Sequence, residues 1–241
     1  MAKRKTFCKK YICMVLLSMV LGLFSLHAGD SATFVDLGFS PDGTVYMFAQ
    51  YGIQAATLRP WAELFAVDVA RNNFVVGGRL SYIHDTAAVP GQDGAGAFYR
   101  LISRNTSLAE NYGVNFLTQG HLLYVALDND ALAPADNPIE FRDFNSGTSY
   151  RAALVPQITG SGSSLRSSFY IDFERISKNG SRKSYVAGSP QIKRPLVAEY
   201  RICKVMLDPR QGSVVFVIEQ KIQSEAGSGY DIRYMVEALS L

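Results

Sequence analysis

The sequence predicts a mainly β protein: antiparallel meanders packed as a sandwich or a distorted propeller-like body, with one helix inserted near 96–112. Three observations predict it. Val, Phe and Tyr recur with a period of two in one run after another, as on a pleated, half-buried strand. Turn-forming Pro, Gly and Asn residues separate the runs. Several runs are apolar at successive positions, which requires cover on both faces and favours stacked sheets over a single exposed one.

Taken in order, "TFVDLGF" (33–39), "VYMFAQY" (45–51), "ELFAVDV" (63–69) and "NFVVGGRLSYI" (73–83) read as four consecutive strands. The segment 84–97 holds Pro, Gly and Asp and reads as a loop. In "GAFYRLISRNTSLAENYG" (96–113), Phe98, Leu101, Ile102, Leu108 and Tyr112 fall on one side of a helix, which Gly113 can end in a left-handed cap. Strands resume near 121–127, 139–144, 148–156 and 165–176. In the last, Phe169, Ile171 and Phe173 alternate with Tyr170, Asp172 and Glu174, as in a sheet with one wet face. Asn179-Gly180 signals a hairpin, because both residues tolerate positive φ. Strands near 183–188, 194–207, 213–220 and 230–241 complete the chain.

The turn Pro41-Asp42-Gly43 follows from side-chain chemistry. Pro sets φ at the first corner, Asp can bond nearby backbone, and Gly takes a left-handed corner. The unit "LGFSPDGTVYMFAQYGI" followed by "ELFAVDVA" is echoed near the C-terminus by "VMLDPRQGSVVFVIEQKI" followed by "DIRYMVEAL". The matched spacing suggests one supersecondary unit used twice, its first and last strands neighbours.

The first 28 residues differ from the rest. Lys3, Arg4, Lys5, Lys9 and Lys10 precede an apolar run from Tyr11 to Leu26, and small residues follow. This is the pattern of a secretory signal, with cleavage expected after Ala28 and a single domain over 29–241. The apolar run, 16 residues long, falls short of the ~20 that span a bilayer. Membrane contact is expected only through this segment, if it is not cut. The chain carries 24 Lys+Arg and 21 Asp+Glu. Five of the basic residues and none of the acidic ones lie in the signal, which leaves 19 against 21, a net charge of −2. That balance argues against nucleic-acid binding, which needs a basic face. Cys8 and Cys13 leave with the signal, so Cys203 stands alone and no internal disulfide can form.

Residues 37–70 resemble one blade of the periplasmic propellers of the Tol type, through Phe39, Ser40, Pro41, Asp42, Gly43 and Asp68. The resemblance implies a tight turn, a packed blade edge and a scaffold role. A wider resemblance rests on the signal, "GFSPDGTVYMFAQYGIQ", "WAELFAVDVARNNFV" and "DIRYMVEA". In these the chain resembles a family of predicted secreted bacterial proteins of unknown function. That resemblance implies a location and a shape, and it transfers no catalytic residue.

Candidate chemistry is sparse. After the signal only His84 and His121 remain. A general base wants an orienting carboxylate, and Asp85 adjoins His84, although neighbours on an extended chain point apart. Asp128, Asn129 and Asp130 offer oxygen ligands but lack the remaining spaced ligands of a calcium loop. The serines of 160–168 lack a nucleophile elbow. The cationic residues of 177–184 and 191–194 read as a solvated hairpin end that could meet anionic lipid or glycan. Trp61 and Tyr51 flank a loop that also holds Arg59, and these three form the expected recognition surface. The reading is therefore an exported periplasmic or secreted protein, non-catalytic, for binding or assembly, with another envelope protein or a glycan as partner and no cofactor. A hydrolase acting on envelope glycan or peptide is the alternative.

Overall fold

Alternation along one strand sets the order of the layers. In Ser213–Gln223, the side chains of Val214, Phe216 and Ile218 enter one core, while Val215 and Val217 enter another. A strand buried on both faces must lie in a central sheet. The computed structural model describes residues 29–127, 138–224 and 229–241. The export segment read at 1–28 and the Asp128–Asp130 cluster lie outside the described residues.

Among the described residues, twelve strands form three antiparallel sheets of four. The first sheet runs in order β1 (Thr33–Phe39), β2 (Val45–Ile53), β3 (Pro60–Asp68) and β4 (Asn73–Ile83). The third holds β6 (Ile139–Arg142), β7 (Ser149–Thr159), β8 (Arg166–Ile176) and β9 (Arg182–Pro195), again in chain order. The middle sheet joins β5 (His121–Val125) to β10 (Val197–Leu207), then β11 (Ser213–Gln223) and β12 (Tyr230–Ser240). The helices α1 (Ala95–Arg104) and α2 (Thr106–Asn111) cover the outer face of the first sheet.

Three apolar cores hold these layers together. Ala97, Phe98, Leu101 and Leu108 of the helices pack on Val45, Met47, Ala62 and Leu64. Phe39, Tyr46, Phe48 and Phe65 pack on Met206, Val215, Val217 and Val236. Phe169, Ile171 and Phe173 pack on Val205, Leu207, Val214, Phe216 and Ile218. Of the two expected packings, the sandwich is the one these layers form. Glu237 of β12 clamps all three sheets. Its Oε2 accepts from Asn72 Nδ2 of the β3–β4 turn at 2.5 Å, and its Oε1 from Arg194 Nη2 of β9 at 3.4 Å. Burial pushes this carboxyl above its usual range, and the two donors oppose that shift.

The helical run is broken at Asn105, whose Nδ2 donates to the Leu101 carbonyl and ends α1. The strand read at 183–188 continues to Pro195. A register shift against β8 with Gly188 at φ 81° absorbs the irregularity, and the edge position tolerates the missing N–H of Pro190 and Pro195. The residues 191–194 therefore belong to a strand. Lys193 Nζ donates to Ser168 Oγ at 3.0 Å, and Arg194 holds Glu237.

The two echoing units meet in space. Just before β1, Ser31 makes a parallel bridge to Ile232 of β12. Asp42 Oδ1 accepts from the Ser40 hydroxyl at 2.6 Å and the Thr44 amide at 3.1 Å, which closes the β1–β2 turn. Those bonds, the Ser40 hydroxyl first, hold the exposed Asp42 carboxyl down at about 2. Gly43 has φ 75°, and a Cβ there would lie 2.8 Å from Asp208 Oδ1 of the β10–β11 turn. Gly43→Ala therefore suffers both backbone strain and a clash. It is expected to destabilise by about 1–3 kcal/mol, read as a shift in urea midpoint.

Candidate functional site

Two loops and a helix border a cleft beside the first sheet. The β2–β3 loop and the segment after β4 are zipped together. His84 N donates to the Pro60 carbonyl at 2.8 Å, and Ala88 N to the Leu58 carbonyl at 2.7 Å. Arg59 Nε donates to the His84 carbonyl at 2.6 Å, while its guanidinium lies 3.8 Å from Asp85. The loop then reaches α1, where Asp93 Oδ1 accepts from Ala95 N at 2.9 Å and closes the first turn. Gly94 takes φ 85° and approaches β2 so closely that a Cβ would sit 2.5 Å from the Gly52 carbonyl oxygen. Only glycine permits that contact. Tyr51 stacks on Phe98 at 5.9 Å and fixes the helix on the sheet.

These constraints leave a cleft of about 580 Å³ lined by Pro60, His84, Thr86, Asp93 and Arg100 among others. That volume lies within the range of small-molecule sites. On one wall the Tyr82 hydroxyl is 3.1 Å from His84 Nδ1, and Thr86 Oγ1 is 3.4 Å from Nε2. Arg100 places its guanidinium 5.3 Å from the Tyr82 ring centroid.

The expected recognition residues do not form one surface. Trp61 is 5% exposed, so its assignment to a surface is corrected. Alternation sends Pro60 and Ala62 to the helix-covered side and Trp61 to the side of the middle sheet. There the Arg233 guanidinium covers the indole at 4.2 Å and pairs with Asp30 at 2.7 Å. Tyr51 is half-buried beneath α1, and Arg59 braces the cleft from behind. The loop that carries these residues borders the cleft, but Pro60 is the member that lines it.

The carboxylate that orients a histidine is also not the neighbour in sequence. Asp85 turns to Arg59, whereas His121 at the start of β5 meets Asp143 after β6, Nε2 to Oδ1 at 3.1 Å. Asp143 is ionised and can only accept, so His121 Nε2 carries the proton. Asp143 also accepts from Ser146 Oγ at 2.5 Å and from the Asn145 and Ser146 amides. These bonds, Ser146 Oγ first, hold its carboxyl down at about 2. Sequence reasoning missed this pair, for which an Asp followed by Ser, Gly and Thr was the available turn signal. It ties the middle sheet to the third. No serine, threonine or cysteine is hydrogen-bonded to His121 among the described residues. Because the folded value is depressed, the stabilisation is present above the unfolded value near 4 and is lost as pH falls toward 2. Asp143→Ala is expected to cost about 2 kcal/mol at pH 7, with the difference from the parent vanishing near pH 2 in acid-unfolding curves.

Other nucleophile candidates have structural partners. Ser161 and Ser164 cap a single 3₁₀ turn, and the Ser167 hydroxyl meets Tyr200 at 2.8 Å. Burial pushes the Cys203 thiol up to about 11, which suppresses its thiolate.

Residues 47–240 match the model of a family described as "Predicted secreted protein (DUF2259)". The chain belongs to this family. DUF2259 residues thus run from inside β2 to the end of β12 and take in the whole cleft. The family's description supports export. No curated protein and no solved structure matches the chain.

Proposed function

We propose that this DUF2259 protein is a non-catalytic binding module of the bacterial envelope, working in the periplasm, with the cleft beside α1 as its ligand site. The observation that carries the reading is the cleft itself. Its volume of about 580 Å³ is set by main-chain bonds and the close approach at Gly94, so it is preformed. Preformed sites bind without the entropic cost of ordering a loop. Its lining mixes apolar Pro60, Ala87 and Val89 with polar His84, Thr86 and Arg100, the balance usual in recognition sites. The partner is an envelope glycan or protein presenting a narrow terminus. A photo-reactive residue placed at Thr86 should crosslink to an envelope component in cells. One placed at Asn179, in the β8–β9 turn, should not. The reading fails if both positions give the same adducts, or if Thr86 gives none.

A further inference from the structure

Two arginines beside this cleft form no ion pair with any carboxylate among the described residues. Arg100 and Arg104 lie one turn apart on α1, with guanidinium carbons 5.3 and 5.9 Å from the centroid of the same Tyr82 ring. Like charges at this spacing repel by about 0.2–0.5 kcal/mol in a helix. Elsewhere on the first sheet and its neighbours, Arg59, Arg79, Arg194 and Arg233 each reach a carboxylate. Among the described residues, Arg100 and Arg104 reach none. Asp93 lines the same cleft but forms no ion pair with Arg100, its Oδ1 accepting from Ala95 N, and Asp85 faces Arg59. The α1 sequence AGAFYRLISR supplies no acid of its own.

Both guanidinium groups lie over the Tyr82 ring, and none of their N–H groups is hydrogen-bonded among the described residues. A guanidinium edge is a fork for a planar two-oxygen anion. Arg100 lines the cleft, and His84, held through Tyr82 and Thr86, lines the same space. We propose that the cleft takes a carboxylate-bearing group, with Arg100 as the clamp and Arg104 adding charge one turn along. The inference rests on the cleft being the ligand site. A carboxylate could come from a peptide C-terminus or from a uronic acid, and both present the same two oxygens.

The test uses matched acid and neutral probes on the full folded chain, followed by amide chemical-shift changes. The probes are acetyl-Ala-Ala with a free carboxylate or as its amide, and glucuronic acid or glucose. Binding of an acid form, with shifts at Thr86, Gly94 and Gly96, and failure of its neutral counterpart are expected. The acid that binds identifies the source. Arg100→Gln should weaken that binding about tenfold or more, the usual loss for one charged hydrogen-bonding partner. Arg71→Gln, at the far β3–β4 turn and paired only with Asp68, should leave it unchanged. Both side chains are exposed, so folding is preserved. Equal binding of acid and neutral forms in the cleft overturns the carboxylate inference while the cleft reading stands. Failure of both acids at millimolar concentration, or indifference to Arg100→Gln, also overturns it. A Thr86 crosslink obtained alongside either result shows that only the ligand chemistry was wrong.

Discussion

Phe216→Ala is expected to lower the unfolding free energy by about 3–5 kcal/mol, the range for emptying a large aromatic site in a core. Phe216 is 0% exposed on an interior strand of the middle sheet. Its ring meets Phe173 of the third sheet edge-on at 5.2 Å, a favoured arrangement of the two quadrupoles. The neighbours on its own sheet, Val205 of β10 and Glu237 of β12, are held by the ladder and cannot move in to fill the space. The cavity therefore stays open, and the loss includes both burial and packing. Urea unfolding measures it. A loss under 1 kcal/mol would show that the middle and third sheets are not packed through this residue.

Trp61→Ala is expected to cost about 3 kcal/mol, with little effect on binding in the cleft that does not follow from stability. The indole is buried beneath the Arg233 guanidinium, and Arg233 in turn holds Asp30, 203 residues away in sequence. Removing the ring leaves that ion pair over a void and loosens the joint between the start of β1 and β12. The Trp61 indole N–H helps hold the Asp30 carboxylate charged but closes no well-formed hydrogen bond among the described residues, so phenylalanine loses that weak donor and keeps most of the packing. Trp61→Phe is expected to cost no more than about 1–1.5 kcal/mol, as for other apolar exchanges that keep most of the volume. Thermal melts of the two variants decide the matter. Equal and small effects would return Trp61 to the surface role first read for it. A large loss with alanine and a small one with phenylalanine would confirm it as a packing residue.

The strands were legible because their signal is local. β4 begins and ends where its alternating run does, and β1 stops at the residue before Ser40-Pro41-Asp42-Gly43. Period-two patterning and turn residues act on the backbone within a few positions, so no distant contact is needed to read them. The helix was legible in place, but its interruption at Asn105 depends on a side chain bonding back to Leu101. β9 was read short because Gly188 and Pro190 look like terminators. Only the sheet's edge and its bulge make them tolerable.

Contacts between layers were not legible. Whether Trp61 is surface or core depends on Arg233, which arrives with β12. Whether a histidine has a carboxylate depends on β5 and β6 joining different sheets, which sets His121 beside Asp143 and leaves His84 without Asp85. Sequence alone determined which segments are strands, where the chain turns, and that some strands need cover on both faces, because each of these is decided by neighbours along the backbone. The tertiary structure alone decided which sheet supplies that cover, which charges meet and where the cleft opens. Those outcomes depend on how three sheets stack, and side chains brought together over 200 residues share no local pattern.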